Sequence, residues 1–207
     1  MEVYTKEEMA GWERFYRANI INSVTGFKPV SLIGTSSANG QTNLGIFSSI
    51  VHIGSDPALV GYINRPRSAA PHTLTNIEST GRYTINHIQP SFLHQAHQTS
   101  AKYPEAISEF EAVGLTMQYL NNFQAPFVEE SVVKYALTLQ EIMSITVNNT
   151  FLVIGKIEFI YIQKGLLSSD GFIDLHKAET ISSNGTDSCY TILPLTRLAY
   201  AKMDNNK

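Results

Sequence analysis

One cysteine, Cys189, stands in 207 residues, which excludes an intrachain disulfide framework and any metal site needing several thiolates. Charge is sparse and nearly balanced. With 16% charged residues and a net charge of −3, the chain has no cationic field to gather nucleic acid or an anionic membrane surface. Apolar runs are interrupted by Gly, Lys or Glu before they reach the roughly 20 residues of a spanning helix. The first residues, Met-Glu-Val-Tyr-Thr-Lys-Glu-Glu, lack a basic segment followed by an apolar one, so a soluble cytoplasmic protein is expected. Also missing are G-x-G-x-x-G after a strand, G-x-x-x-x-G-K and a nucleophile elbow, which leaves a Rossmann site, a P-loop or a hydrolase triad without support. His94 and His97 lie three apart on an expected helix but lack a third ligand; they read as surface or core histidines, and no metal is expected. Cys189 reads as a buried, inert thiol.

What remains is material for a core. At 43% hydrophobic the chain is expected to form a single domain over residues 1–207, with a helical insertion over about 91–127. Thr5 and Glu8 form a capping-box pattern, and Met9, Trp12, Phe15 and Tyr16 recur as a helical stripe suited to core burial. Lys28-Pro29 stops that helix. Val30 to Thr35 alternates as a strand, Asn39-Gly40 is a hairpin signal, and Thr42 to Ile53 follows as the returning arm. Asp56-Pro57 turns the chain into a third strand, Ala58 to Ile63. Pro71 suits the first turn of a helix that Gly81 closes, before a strand from Tyr83 to Ile88.

Beyond it, Ser91 is expected to cap a helix reaching Ala101, and Pro104 to Phe110 to form another. Val132 to Ile142 and Phe151 to Gln163 read as a long hairpin turning at Asn148-Asn149. Phe172 to Leu175 reads as a short extended piece, Ser182 to Gly185 as a turn, Tyr190 to Leu195 as a last strand, and the tail from Lys202 as frayed. About seven strands at short spacing argue for a mainly β fold, an antiparallel barrel with a few short peripheral helices.

Several of these fragments carry a resemblance in order and spacing. Leu32-Ile33-Gly34-Thr35, Asn39-Gly40, Asn43 to Ser49, Asp56 to Val60, Thr73 to Ile77 and Tyr83 to Asn86 resemble the flavin reductase-like family of FMN-binding split-barrel proteins, over roughly residues 28 to 88. A weaker echo follows in Asp170 to Ile173 and Gly185 to Tyr190. The resemblance implies a six-stranded Greek-key split β-barrel, a homodimer, and FMN held near the subunit interface. It also implies NADH or NADPH as electron donor to an oxidoreductase, with a non-catalytic FMN-binding or electron-carrier protein as the alternative.

The residues fit such a ligand piece by piece. On a regular strand Asn43, Gly45 and Phe47 share one face, and Leu44, Ile46 and Ser48 the other. Gly45 admits a close ring, and Asn43 offers donor and acceptor to the ring edge or ribityl chain. Ser48 and Ser49 reach one ligand together only where a bulge re-aims them. For the phosphate, Arg65 and Arg67 supply forked, charge-assisted hydrogen bonds, and Thr73 and Asn76 neutral ones beside a helix N-terminus. Thr35 and Lys28 are weaker candidates for the ring. Each residue alone also reads as barrel lining, solvated surface or a helix cap; together and in family order, Asn43, Ser48, Ser49 and Arg67 favour the site. No catalytic side chain is assigned, because flavin supplies the chemistry and the protein positions and shields it.

Overall fold

The computed structural model describes residues 1–69, 71–104 and 106–202. Two helices open the chain, α1 (Lys6–Gly11) and α2 (Arg14–Val24). Both arms of the capping box at the start of α1 are made, Thr5 Oγ1 accepting from Glu8 N–H and Glu8 reaching back to Thr5 N–H. The aromatic stripe on these helices does not enter the core: Phe15 is 73% and Tyr16 51% exposed, and neither helix has a buried residue. Periodicity finds an apolar face but not what covers it.

Twelve strands follow: β1 (Lys28–Pro29), β2 (Ser31–Ser36), β3 (Thr42–Phe47), β4 (Ile50–Ser55), β5 (Ala58–Asn64), β6 (Arg82–His87), β7 (Met117–Gln118), β8 (Phe127–Val128), β9 (Val133–Ile145), β10 (Thr150–Ile162), β11 (Ile181–Asn184) and β12 (Ser188–Thr191). Helix α3 (Pro71–Thr80) lies between β5 and β6, and α4 (Leu93–Gln98) and α5 (Glu109–Val113) between β6 and β7. The main sheet is antiparallel in the order β3-β2-β6-β9-β10-β5-β4, seven strands where the resemblance implies six. Its two edges, β3 and β4, are joined by Ser48 and Ser49 alone. Phe47 and Ile50 are therefore at most about 11 Å apart, and only a sheet curled round on itself can bring its edges that close. The result is the antiparallel Greek-key split barrel, mainly β with few short helices. The stretch expected as one strand, Thr42 to Ile53, breaks at the serine pair because the chain must cross from one edge to the other there.

Inside the barrel, Ile33, Tyr62, Leu74, Ile77, Tyr83, Ile85, Leu137 and Val153 form one apolar cluster. Leu32, Leu44, Ile88, Phe92, Phe110 and Val128 form another under the segment between β6 and β9. Strand β2 sends Ile33 into the first and Leu32 into the second, so all six of its residues are buried, and each fully buried Leu or Ile contributes about 1.5–3 kcal/mol. Gly34 is needed at their junction, because a Cβ there would stand 2.2 Å from the Pro126 carbonyl oxygen.

Other expected boundaries move. A 3-10 turn (Pro90–Phe92) and α4 occupy the expected Ser91–Ala101 helix, and Ser91 does not cap either, since no side chain does. The next helix starts at Glu109, not Pro104, and ends on left-handed Gly114. Ser182 and Ser183 lie within β11, paired to Tyr190 and Cys189, instead of in a turn. The piece at Phe172 to Leu175 makes only an isolated bridge, Ile173 to Leu167, and past Thr191 the described chain is irregular. The frayed tail expected from Lys202 falls on residues outside the described ones after that position. Cys189 is exposed, not buried. Among the described residues no helix is long and apolar enough to cross a membrane, and no cluster of three or more His, Cys, Asp or Glu could hold a metal.

Candidate functional site

Strand β3 is an edge of the sheet, so every second peptide group of it points away from β2 without a strand to pair with. Glu109 takes the first of these, its Oε2 accepting the Leu44 N–H at 2.9 Å. Two residues on, Ile46 presents its peptide group in the same direction. Here a cavity of about 480 Å³ opens along the strand edge, within the range of small-molecule sites. Its floor is Asn43 to Ser49 with Ile63; one wall is Arg65, Ser68, Ala69 and the start of α3 at Pro71, His72 and Thr73; the other is Thr99 to Tyr103 with Glu109, and Asn22 of α2 also borders it.

Eight of the eleven candidate residues line this cavity: Asn43, Leu44, Gly45, Phe47, Ser48, Ser49, Arg65 and Thr73. The corner between the two barrel edges is what lets the adjacent serines line one space, the role foreseen for a bulge. Ser49 is fixed by its carbonyl, which accepts from Ile63 N–H at 3.0 Å. Asn43 donates to Thr73 Oγ1 at 3.0 Å, tying the strand to α3. A Cβ on Gly45 would stand 3.1 Å from Phe47 Cε2 and 3.5 Å from Thr73 Oγ1, so the backbone lies as open to a flat ligand there as the packing allows.

The other three, and the weaker candidate Lys28, lie elsewhere. Thr35 is fully buried and accepts from Asn76 Nδ2 at 3.1 Å. Asn76 lines a smaller polar cleft beside the main cavity, which shares Asn43, His72 and Glu109 with it. Arg67 is outside both: its guanidinium forks onto Glu78 and lies 5.1 Å from the Phe151 ring centre. That pairing holds the Glu78 carboxyl below its ordinary range. Lys28 donates to the Asn22 and Gly26 carbonyls and lies off the cavity.

Sequence reasoning missed His72, Lys102, Tyr103 and Glu109. The last three belong to the segment between β6 and β9, brought to β3 by tertiary bonds, Thr42 Oγ1 to Ser108 Oγ at 2.7 Å among them, that no local pattern announces. Burial pushes the Glu109 carboxyl up, against the Leu44 hydrogen bond that lowers it.

The donor set fits FMN. Apolar surface from Ile46, Phe47 and Ile63 suits a ring, the free peptide edge and hydroxyls suit its polar rim and ribityl chain, and Arg65 with the α3 N-terminus suits a phosphate.

Known proteins resemble the chain at the same scale. A split-barrel protein named for flavin reductases, from Shewanella frigidimarina NCIMB 400, is 47% identical and superposes with a TM-score of 0.94 over 97% of this chain and all of its own. Nitrilotriacetate monooxygenase component B from Bacillus cereus, 17% identical, shares the fold with a TM-score of 0.84 over 96% of this chain and 98% of its own. Flavoredoxin of Desulfovibrio vulgaris (Miyazaki F), 20% identical, does so at 0.74 over 85% and 92%. The description "flavin reductase like domain" matches residues 27–176, which span every strand of the main sheet and both walls of the cavity, and the chain belongs to that family.

Proposed function

We propose that the protein binds FMN and passes hydride or electrons through it as an NADH- or NADPH-dependent, flavin reductase-like oxidoreductase, working as a cytoplasmic homodimer. The observation that carries the reading is the cavity on the unpaired edge of β3, which apolar, hydrogen-bonding and cationic groups line together. When bound, FMN supplies the hydride and electron chemistry. The residues present bind and orient. Arg65, with the first N–H groups of α3, holds the phosphate; Ser48, Ser49 and Thr73 meet the ribityl hydroxyls; the Ile46 peptide and Asn43 fix the ring edge; and Phe47 and Ile63 exclude water from its apolar side. No acid–base pair is required beyond this positioning.

The second copy is supported by apolar groups left in water at both ends of the chain: Phe15 and Tyr16 on α2, and Leu193, Leu195 and Leu198 near the C-terminus, the last three 76% or more exposed. The reading is tested on purified protein. A yellow preparation whose heat-released chromophore is FMN, bleached anaerobically by NADH or NADPH, is expected. Bound FMN that neither nucleotide bleaches leaves a non-catalytic binder or electron carrier, and a colourless protein that takes up no added FMN overturns the reading.

A further inference from the structure

Resting on the flavin reading, we infer that Lys102 is a specificity-determining residue that binds a phosphate group of the nicotinamide nucleotide, in the cavity that Arg65 also lines. The cavity has cations on two walls. On the first, Arg65 brings a planar fork, Ser68 a hydroxyl and α3 its leading N–H groups, a full set of partners for one phosphate. FMN has one phosphate. A nicotinamide dinucleotide has at least two, so a second cation lining the same cavity has a separate anion to meet.

The wall that carries Lys102 is held in place up to the side chain itself. Thr99 is 5% exposed and donates from Oγ1 to the Ala96 carbonyl at 2.8 Å. Ser100 Oγ donates to the His97 carbonyl at 2.7 Å, and Gln98 Nε2 to the Tyr103 hydroxyl at 3.3 Å. Farther on, Ser108 and Glu109 clip the segment to β3. On this fixed backbone the exposed lysine has no ion-pair partner among the described residues, and neither has Arg65. The other titratable groups on the cavity are His72 on α3, Tyr103 and Glu109. Glu109 is held on the Leu44 N–H, and no ion pair joins it to Lys102 among the described residues. An ammonium on a flexible stem suits a phosphate whose exact placement the ring stack dictates.

The test is calorimetric titration of NAD+ and NADP+, which cannot reduce the flavin, into the full-length protein with and without FMN. Lys102→Gln is expected to weaken one or both nucleotides by about tenfold, and Lys102→Arg to restore them. Lys164→Gln, exposed and off the cavity, is expected to change nothing. A loss for both nucleotides places the lysine on the diphosphate, and a loss for NADP+ alone on its additional phosphate; either supports the inference. Unchanged affinities in Lys102→Gln, no binding of either nucleotide, or a loss of FMN relative to riboflavin overturn it, the last because the lysine then serves the flavin phosphate. A protein that holds no FMN but still binds nucleotide in a Lys102-dependent way overturns the flavin reading and leaves this subsite standing.

Discussion

The Glu109 carboxylate accepts the backbone N–H of Leu44 at 2.9 Å across 65 positions of sequence. This one bond satisfies the Leu44 N–H on an edge that no other strand covers, and it ties the segment bearing Lys102 to β3. Glu109→Ala leaves a buried N–H without an acceptor, which costs about 1–3 kcal/mol and lowers Tm by roughly 2–4 °C for each kcal/mol. Glu109→Gln keeps an acceptor and is expected to lose less. Because burial raises the folded-state pKa, the folded chain holds the proton longer than the unfolded one. The stability Glu109 contributes this way is full below the unfolded pKa and is lost as pH rises through the folded pKa. The Gln variant, which does not titrate, should therefore gain on the wild type as pH rises from acid to neutral. Urea unfolding at a series of pH values checks this, and a constant difference between the two proteins would contradict it.

Arg65 and Arg67, two residues apart, are expected to behave differently. Arg65 lines the cavity, while Arg67 is held by Glu78 and Phe151. Arg65→Ala should weaken FMN by about tenfold or more and leave riboflavin within about twofold, since only FMN carries the phosphate. Arg67→Ala should spare both ligands and cost about 0–1 kcal/mol of stability, the usual value of an exposed pair. That small contribution is present above the unfolded pKa of Glu78 and lost as pH falls through its lowered folded value. Equal losses of FMN and riboflavin in Arg65→Ala would show that the phosphate lies elsewhere.

The difference between those two arginines marks where the sequence stops being legible. Alternation, the Asn39-Gly40 turn and the Pro71 start are local signals, and the strands and helix they announce form where expected. That Asn43 to Ser49 share one space was readable because an edge strand and the serine corner after it supply seven consecutive lining residues. Arg67 was not, because its partner Glu78 sits one helix away and the choice between ligand and ion pair is tertiary. The wall made by Thr99 to Tyr103 with Glu109 was invisible for the same reason: its place depends on Ser108 and Glu109 finding Thr42 and Leu44. The stripe from Met9 to Tyr16 reads as core by period alone, yet among the described residues neither helix buries a side chain.

That stripe gives a prediction about assembly. Trp12 stacks edge-on between Tyr4 and Tyr16, with ring centres 5.3 Å away on either side, so it holds an aromatic ridge whose outer face meets solvent. Phe15→Glu with Tyr16→Glu places charge on that ridge without touching the barrel core. The double variant is expected to sediment as a monomer where the wild type sediments as a dimer, with an unchanged β-type circular dichroism spectrum. A wild type that is already monomeric at the same concentration would remove the second copy from the proposal.

His87 gives the clearest acid response. Its ring is half-buried at the end of β6, edge-on to Tyr135 with centres 6.3 Å apart, and Nδ1 lies 3.3 Å from Thr180 Oγ1. Burial holds its pKa at about 4, against 6.5 for the free side chain. The unfolded chain therefore takes up a proton that the folded one refuses, so the stability His87 permits is full above pH 6.5 and falls as pH drops toward 4. A loss of about 2 kcal/mol over that window is expected, allowing for the partly exposed ring. His87→Gln, which keeps a polar group facing Thr180 but does not titrate, should flatten that part of the stability profile while being somewhat less stable at neutral pH. Equal slopes for variant and wild type between pH 6.5 and 4 would mean that the imidazole takes up its proton in the folded state as readily as in water, and would contradict its placement against β9.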